Sequence, residues 1–422
     1  MRAATTPHAR WNLPRAIAKL AIATICGAAA GYTVFIFSLS AVLPSALGQR
    51  DFVAYWAAGR QLALHANPYD QEALARTEHS VGFPAEMRGH NILFMRNPPW
   101  TLPLVYPLGL LGPQAASMLW SLFLVACLAV SIRLLWIMHG RPRGDKILLA
   151  YTFAPALVCL INAQVAPIAL LGLVLFLRLH HTRPFIAGAA LWLCSLKPHL
   201  FLPFGAVFVG WVVVSRSYKL LAGAGAACAL NFAVAYRFDP MAWIQYERMI
   251  RTSGIERNYI ACLSFLLRAR ISPGRLWIQF LPAAVGCVWA LLYFWPRRHT
   301  WDWMKDGSLL MLVSLVAAPY SWLFDQTLAT PALLQGIYRT RSRGLLAALA
   351  LASALVEVAL YFNSRVPSAL YLWTLWTAPA WLVWYLAASA SSSDPWRGRA
   401  ARAFDRFRSR PVGIAAKTED GA

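Results

Sequence analysis

The chain has 422 residues, 59% of them hydrophobic and 13% charged, with a mean hydropathy of +0.50, which excludes an ordinary soluble globule and leaves no large soluble domain beside its apolar runs. Its formal net charge of +22 sits in short basic clusters between those runs, the pattern of a positive-inside membrane topology, and no motif for nucleic acid accompanies it. The seven cysteines form no CxxC pair and no metal-ligand spacing, so they read as small core residues and no metal site is expected.

In chain order, a basic N-terminus (residues 1–16) precedes an apolar run at 17–43. That run is longer than a signal-peptide core, which usually ends at about 15 residues, so a cleaved leader is not expected. A polar loop at 44–98 follows, then a short apolar piece at 99–111 that is too brief to cross about 30 Å of hydrocarbon at 1.5 Å per residue. Residues 94–116 are rich in proline and are expected to form a stiff extended wall with a re-entrant segment. Further spans are predicted at 113–138, 147–161, 164–179, 185–197, 198–215, 219–236, 275–295, 306–323, 325–338, 344–362 and 368–388, giving about twelve (10–14) in one all-α integral-membrane domain, 17–388. A second long polar loop covers 237–274, and a basic tail runs from 389 to 422, where Phe404 and Phe407 among arginines suit either an interfacial helix or a solvated segment.

With both termini in the cytoplasm, every short basic cluster falls inside: Arg141 to Lys146, Arg178 and Arg183, Arg216 and Lys219, Arg297 to Lys305, and Arg339 to Arg343. The elaborated polar loops then lie outside. So do Lys197, Asp325 and Arg365, in short turns where topology alone gives them no reason to be.

Asp51 opens "DFVAYWAAGRQL", whose apolar residues recur at helical spacing, so it is either an N-cap of an interfacial helix or a reactive acid at the water boundary, and the two roles are compatible. In "ANPYDQEALA", Asn-Pro sets a turn and Asp70 caps a short helix, with Tyr69 beside it. Arg96 before the proline-rich stretch either meets an anionic head group or snorkels. Asn162 and Gln164 in "NAQ" can bond sugar hydroxyls or stitch two helices.

"CSLKPHLFLPFG" breaks a helix at Lys197, with His199 next to it; a lysine between apolar runs needs either an anionic ligand such as phosphate or an ion pair with Asp51 or Asp325. "PYSWLFDQTLATPALL" carries Tyr320, Trp322 and Asp325, the last either functional or an N-cap. Arg257 belongs to a basic outer loop that either suits an anionic lipid or is simply a long loop free of the charge bias.

Taken in order, "DFVAYWAAGRQL", "NPYD", "NPPWTLPLVYPLGLLGPQAASMLW", "NAQ", "AGAALWLCSLKPHLFLPF" and "PYSWLFDQTLATPALL" resemble the membrane glycosyltransferases of family 87, over residues 16–390. The resemblance implies a GT-C fold in the bacterial inner membrane, with a periplasm-facing cavity that takes a sugar, mannose-like, from a polyprenyl-phosphate carrier and passes it to a lipid or glycan acceptor. It implies Asp51 as catalytic base, with Lys197 and a basic group near the late proline motif at the donor phosphate; beside them we expect His199, Arg96 and Arg257 at the phosphate and Tyr55, Tyr69, Asn162, Gln164, Tyr320, Trp322 and Asp325 at the substrate. No cofactor is implied beyond the lipid-linked sugar. Where some members carry histidine in the late motif, this chain has Asp325. A transporter or lipid-glycan flippase is the alternative, but it predicts paired repeats and charges at mid-membrane, whereas the polar features here collect at one face.

Overall fold

The computed structural model describes residues 13–83, 93–254, 260–363 and 368–391. The fold is 80% helix, with no strand among the described residues. A chain in lipid must satisfy its own backbone polar groups, and consecutive apolar runs do so as helices.

The first run is α1 (Leu13–Val42), which ends in a 3₁₀ turn, Pro44–Gln49. The loop that follows folds into α2 (Phe52–Ala63) and α3 (Gln71–His79), and Asp70 caps α3 by accepting from the Ala73 N–H at 2.8 Å. The proline-rich stretch is not an extended wall. It forms a 3₁₀ turn at Pro99–Thr101 and then α4 (Leu102–Gly109), because Pro99 and Pro103 fall in first turns, where a missing N–H costs no helical bond. α5 (Pro113–Met138) matches its predicted bounds.

Beyond it come α6 (Leu148–Tyr151), α7 (Ala154–Asn162), α8 (Ala166–Leu179), α9 (Pro184–Ala190), α10 (Leu202–Ser215), α11 (Tyr218–Phe238) and α12 (Ala242–Thr252). The last third contains α13 (Leu263–Ile271), α14 (Leu281–Phe294), α15 (Gly307–Ala317), α16 (Thr330–Arg339), α17 (Arg343–Asn363) and α18 (Thr377–Ala390).

Among the described residues six helices are long and apolar enough to cross a membrane: Ile17–Val42, Pro113–Met138, Pro198–Ser215, Tyr218–Phe238, Leu276–Arg297 and Arg343–Phe362. A seventh arises if Asp145–Tyr151 and Ala154–Asn162, bent by 42° at their junction, count as one span. The expected count of about twelve is therefore not confirmed. Several predicted spans are helices of 10–17 residues, such as Ala166–Leu179 and Gly307–Ala317. At 1.5 Å per residue, 14 residues reach only about 21 Å.

Long apolar side chains on the spanning helices face outward, among them Leu20 at 69%, Leu292 at 69% and Phe362 at 71% exposure, as lipid contact requires. Inside, Phe176, Phe204, Trp211 and Trp303 pack edge to face, and α1 meets α17 through Tyr32 and Tyr361 with ring centroids 5.2 Å apart.

The short basic connections gather at one end of the bundle. Lys146 donates to the Ile337 carbonyl at 3.4 Å, His139 packs on Tyr338, and Gln335 donates to the Met304 carbonyl. At the opposite end α2 lies against α4 with no room between their backbones, since a Cβ on Gly109 would sit 2.1 Å from the Gly59 carbonyl carbon. The tail arginines, Arg257 and Arg365 lie outside the described residues. Gly109→Ala is expected to lower stability by about 1–3 kcal/mol through overpacking. Thermal unfolding of the detergent-solubilised protein checks this, and an unchanged midpoint would contradict the close approach.

Candidate functional site

Asp51 leaves the turn after α1 at the N-cap position of α2, yet its side chain makes no capping bond. The capping role is thus not realised in hydrogen bonding. Its Oδ2 instead accepts from Gln164 Nε2 at 2.8 Å, and Gln164 Oε1 accepts from the Tyr55 hydroxyl at 2.8 Å.

A backbone reversal positions Gln164. Ala163, after α7, has φ +58°, an uncommon conformation for a residue with a Cβ that recurs at functional sites, and its carbonyl accepts from Trp120 Nε1 at 2.9 Å. The Trp120 ring packs on Tyr55, centroids 5.6 Å apart. Gln164 therefore does what one of its two readings expected, stitching α2 to the α7–α8 turn, and its partner is the candidate base. Asn162 takes no part in this contact: its amide donates to the Val158 carbonyl of its own helix at 3.0 Å.

Lys197 stands at the predicted break, between the 3₁₀ turns Leu191–Leu196 and Pro198–Phe201. Its partner is Asp325, not Asp51: Nζ meets Asp325 Oδ1 at 2.6 Å and lies 4.7 Å from the centre of the Phe324 ring. Both ends are buried, at 8% and 1% exposure. Asp325 Oδ2 accepts the Trp322 N–H at 2.9 Å, and the Trp322 ring stacks along Phe324. Asn97 and Trp100 brace the break by donating to the Leu196 and Ser195 carbonyls at 2.8 and 3.1 Å.

The two constellations are within electrostatic reach of each other. Burial pushes the Tyr55 phenol well above its usual range, and the charges of both Asp51 and Asp325 add to the effect.

The remaining candidates form a third group. Arg96 Nη2 donates to the Ser253 carbonyl at 3.1 Å, and its own carbonyl accepts from the Tyr246 hydroxyl at 3.2 Å. Tyr69 packs on Tyr246 at 5.5 Å, and His199, two residues past Lys197, packs on Tyr320 at 4.6 Å. The Tyr246 phenol is pushed up to about 12 by burial, with Tyr320 adding to it.

Sequence reasoning missed four residues: Arg50, Glu78, Asn97 and Trp100. Arg50 adjoins the motif that Asp51 opens, and Asn97 and Trp100 lie inside the proline-rich motif, so position was the available signal. Glu78 had none. It is 0% exposed on a helix of low apolarity, and its Oε2 accepts the Leu93 N–H at 2.7 Å.

A helical bundle with lipid-facing spans and, at one end, a polar site built from carboxylates, an amide and a lysine defines a polytopic membrane protein. The family model of glycosyltransferase family 87 matches residues 94–319, just over half of the sequence. The chain belongs to that family and is a membrane glycosyltransferase. No curated protein and no solved structure matches it. The match includes Arg96, Asn162, Gln164, Lys197 and His199; Asp51, Tyr55 and Tyr69 precede it, while Tyr320, Trp322 and Asp325 follow.

Two outcomes are expected. Removing one partner of a buried ion pair costs about 3–5 kcal/mol, whereas an apolar replacement of both is near neutral. Lys197→Met should therefore unfold at markedly lower temperature and Lys197→Met with Asp325→Leu should recover; equal midpoints for wild type and the single variant would refute a buried pair. Burial raises Glu78 to about 8, the Asp51 charge adds to the rise and the Leu93 N–H opposes it. The folded protein then keeps this proton while the unfolded chain releases it, so stability should decline from about pH 4.5 to about pH 8 and level off above. Glu78→Gln should flatten that component of the profile of unfolding temperature against pH.

Proposed function

We propose that the enzyme transfers a hexose, mannose-like, from a polyprenyl-phosphate donor to an outward-facing lipid or glycan acceptor, with Asp51 as general base. The observation that carries the reading is the bond from Gln164 to Asp51: an acid at the boundary of a membrane glycosyltransferase has its carboxylate aimed by a side chain 113 residues away.

The chemistry follows from the charges that move. The acceptor hydroxyl gives its proton to the Asp51 carboxylate as its oxygen bonds to the anomeric carbon of the sugar. The bond from that carbon to the phosphate oxygen breaks, and polyprenyl phosphate leaves with an added negative charge. An ammonium group has three N–H donors, and Lys197 gives one to Asp325, leaving two without a partner among the described residues. Those two suit phosphate oxygens. Because Asp325 balances the Lys197 charge, the net positive field must come from Arg96 and the loop that contains Arg257, with the half-buried His199 ring contributing as a neutral group.

The fold is read as GT-C-type. The short basic connections lie at the end opposite the site, which supports cytoplasmic termini and a site facing the periplasm of a bacterial inner membrane.

The test is purified protein incubated with a panel of labelled polyprenyl-phosphate sugars and membrane acceptor, following which sugar leaves its carrier. Asp51→Asn is expected to reduce transfer by about 10²- to 10⁴-fold with normal expression, the range typical of a lost general base. Retained transfer in that variant would remove Asp51 from the role.

A further inference from the structure

We infer that Arg50 is a positioning residue for this site: its guanidinium fastens the turn that carries Asp51 to the end of α7, so that Gln164 and the Asp51 carboxylate meet. The inference rests on the reading of Asp51 as base.

Arg50 is 2% exposed, although it adjoins a polar loop. Its Nε donates to the Ile161 carbonyl at 2.8 Å and its Nη2 to the Leu160 carbonyl at 3.0 Å, the last turn of α7. Nη1 and Nη2 also donate to Ser117 and Ser121 on α5, at 2.8 and 3.0 Å. Burial lowers the guanidinium to about 10, with the Asp51 charge opposing the fall, so it stays cationic at neutral pH.

The connectivity closes a short circuit. Arg50 and Asp51 are neighbours, and the carbonyls that hold the guanidinium stand three and four residues before Gln164, whose amide holds Asp51 Oδ2. Two elements far apart in sequence are thereby locked on both sides of the contact that aims the candidate base. With four of its hydrogen bonds directed at backbone carbonyls and serines, Arg50 is committed to the scaffold and not to phosphate. Lysine could not replace it, because a point-like ammonium cannot reproduce a planar fork spanning two helices.

The probe is labelled polyprenyl-phosphate mannose with a membrane lipid extract as acceptor, used on the full chain in lipid nanodiscs. Arg50→Lys is expected to lower kcat on the order of a hundredfold, the scale of a misplacement of about 1 Å, with the donor KM unchanged. Ser117→Ala with Ser121→Ala removes two of the four bonds and should give a smaller loss of the same kind. Added guanidinium should restore part of the rate to Arg50→Gly.

Full kcat in Arg50→Lys, or a loss confined to KM, overturns the positioning role while a dead Asp51→Asn leaves the base intact. Activity in Asp51→Asn overturns the base and this inference with it. If Arg50→Lys does not fold, the serine pair decides: unchanged kcat there refutes the clamp, and a kcat loss at wild-type unfolding temperature supports it.

Discussion

Breaking a helix at the edge of a membrane leaves carbonyl groups that neither lipid nor a next turn can satisfy, and this constraint organises the functional end of the molecule. At each break a side chain supplies the missing donor. Arg50 serves the end of α7 and Trp120 the reversal at Ala163. Asn97 and Trp100 serve the break before Lys197. Gln279 and Ser264 serve the Pro319 and Ala318 carbonyls after α15, at 2.6 and 2.7 Å. The side chains that make a broken backbone tolerable thus also fix where the neighbouring acid, amide and lysine stand.

That constraint explains why part of the site was legible in the sequence. Asp51, Lys197 and Asp325 each interrupt or border an apolar run, and an ionisable group there is costly enough to need a reason. The helices themselves were legible because apolar runs of this length have one way to satisfy their backbone. The number of crossings was not, since prolines at 155, 167, 184, 198, 203 and 331 divide apolar sequence into pieces whose tilt and partners decide whether they span. The abundance of proline at 94–116 points to extended chain, yet the segment is helical because Pro99, Pro103 and Pro113 fall in first turns, with Pro107 alone in the interior of α4.

The supporting residues were illegible for a different reason. Arg50 binds carbonyls 110 and 111 residues away, and Asn97 binds one 99 residues away. Backbone carbonyls have no identity in a sequence, so no pattern of residue types announces such a contact. Glu78 shows the same limit from the polar side: an acid on a helix of mean polar character reads as solvated, yet it is buried and accepts the Leu93 N–H.

The partition of charges between the two acids bears most directly on what the site can do. Lys197 could have paired with either carboxylate, and its ammonium goes to Asp325, which also takes the Trp322 N–H. A lysine held from one side, above the Phe324 ring, keeps a fixed direction for the donors it has left. Asp51 meets the Gln164 amide instead, so it is oriented without consuming the ammonium that a departing phosphate would need. With Asp325 balancing the lysine, the phosphate departure of the proposed reaction requires the lysine to act as an oriented donor and not as the sole source of positive charge. This makes the geometry at Lys197, more than its net charge, the property on which the late motif acts.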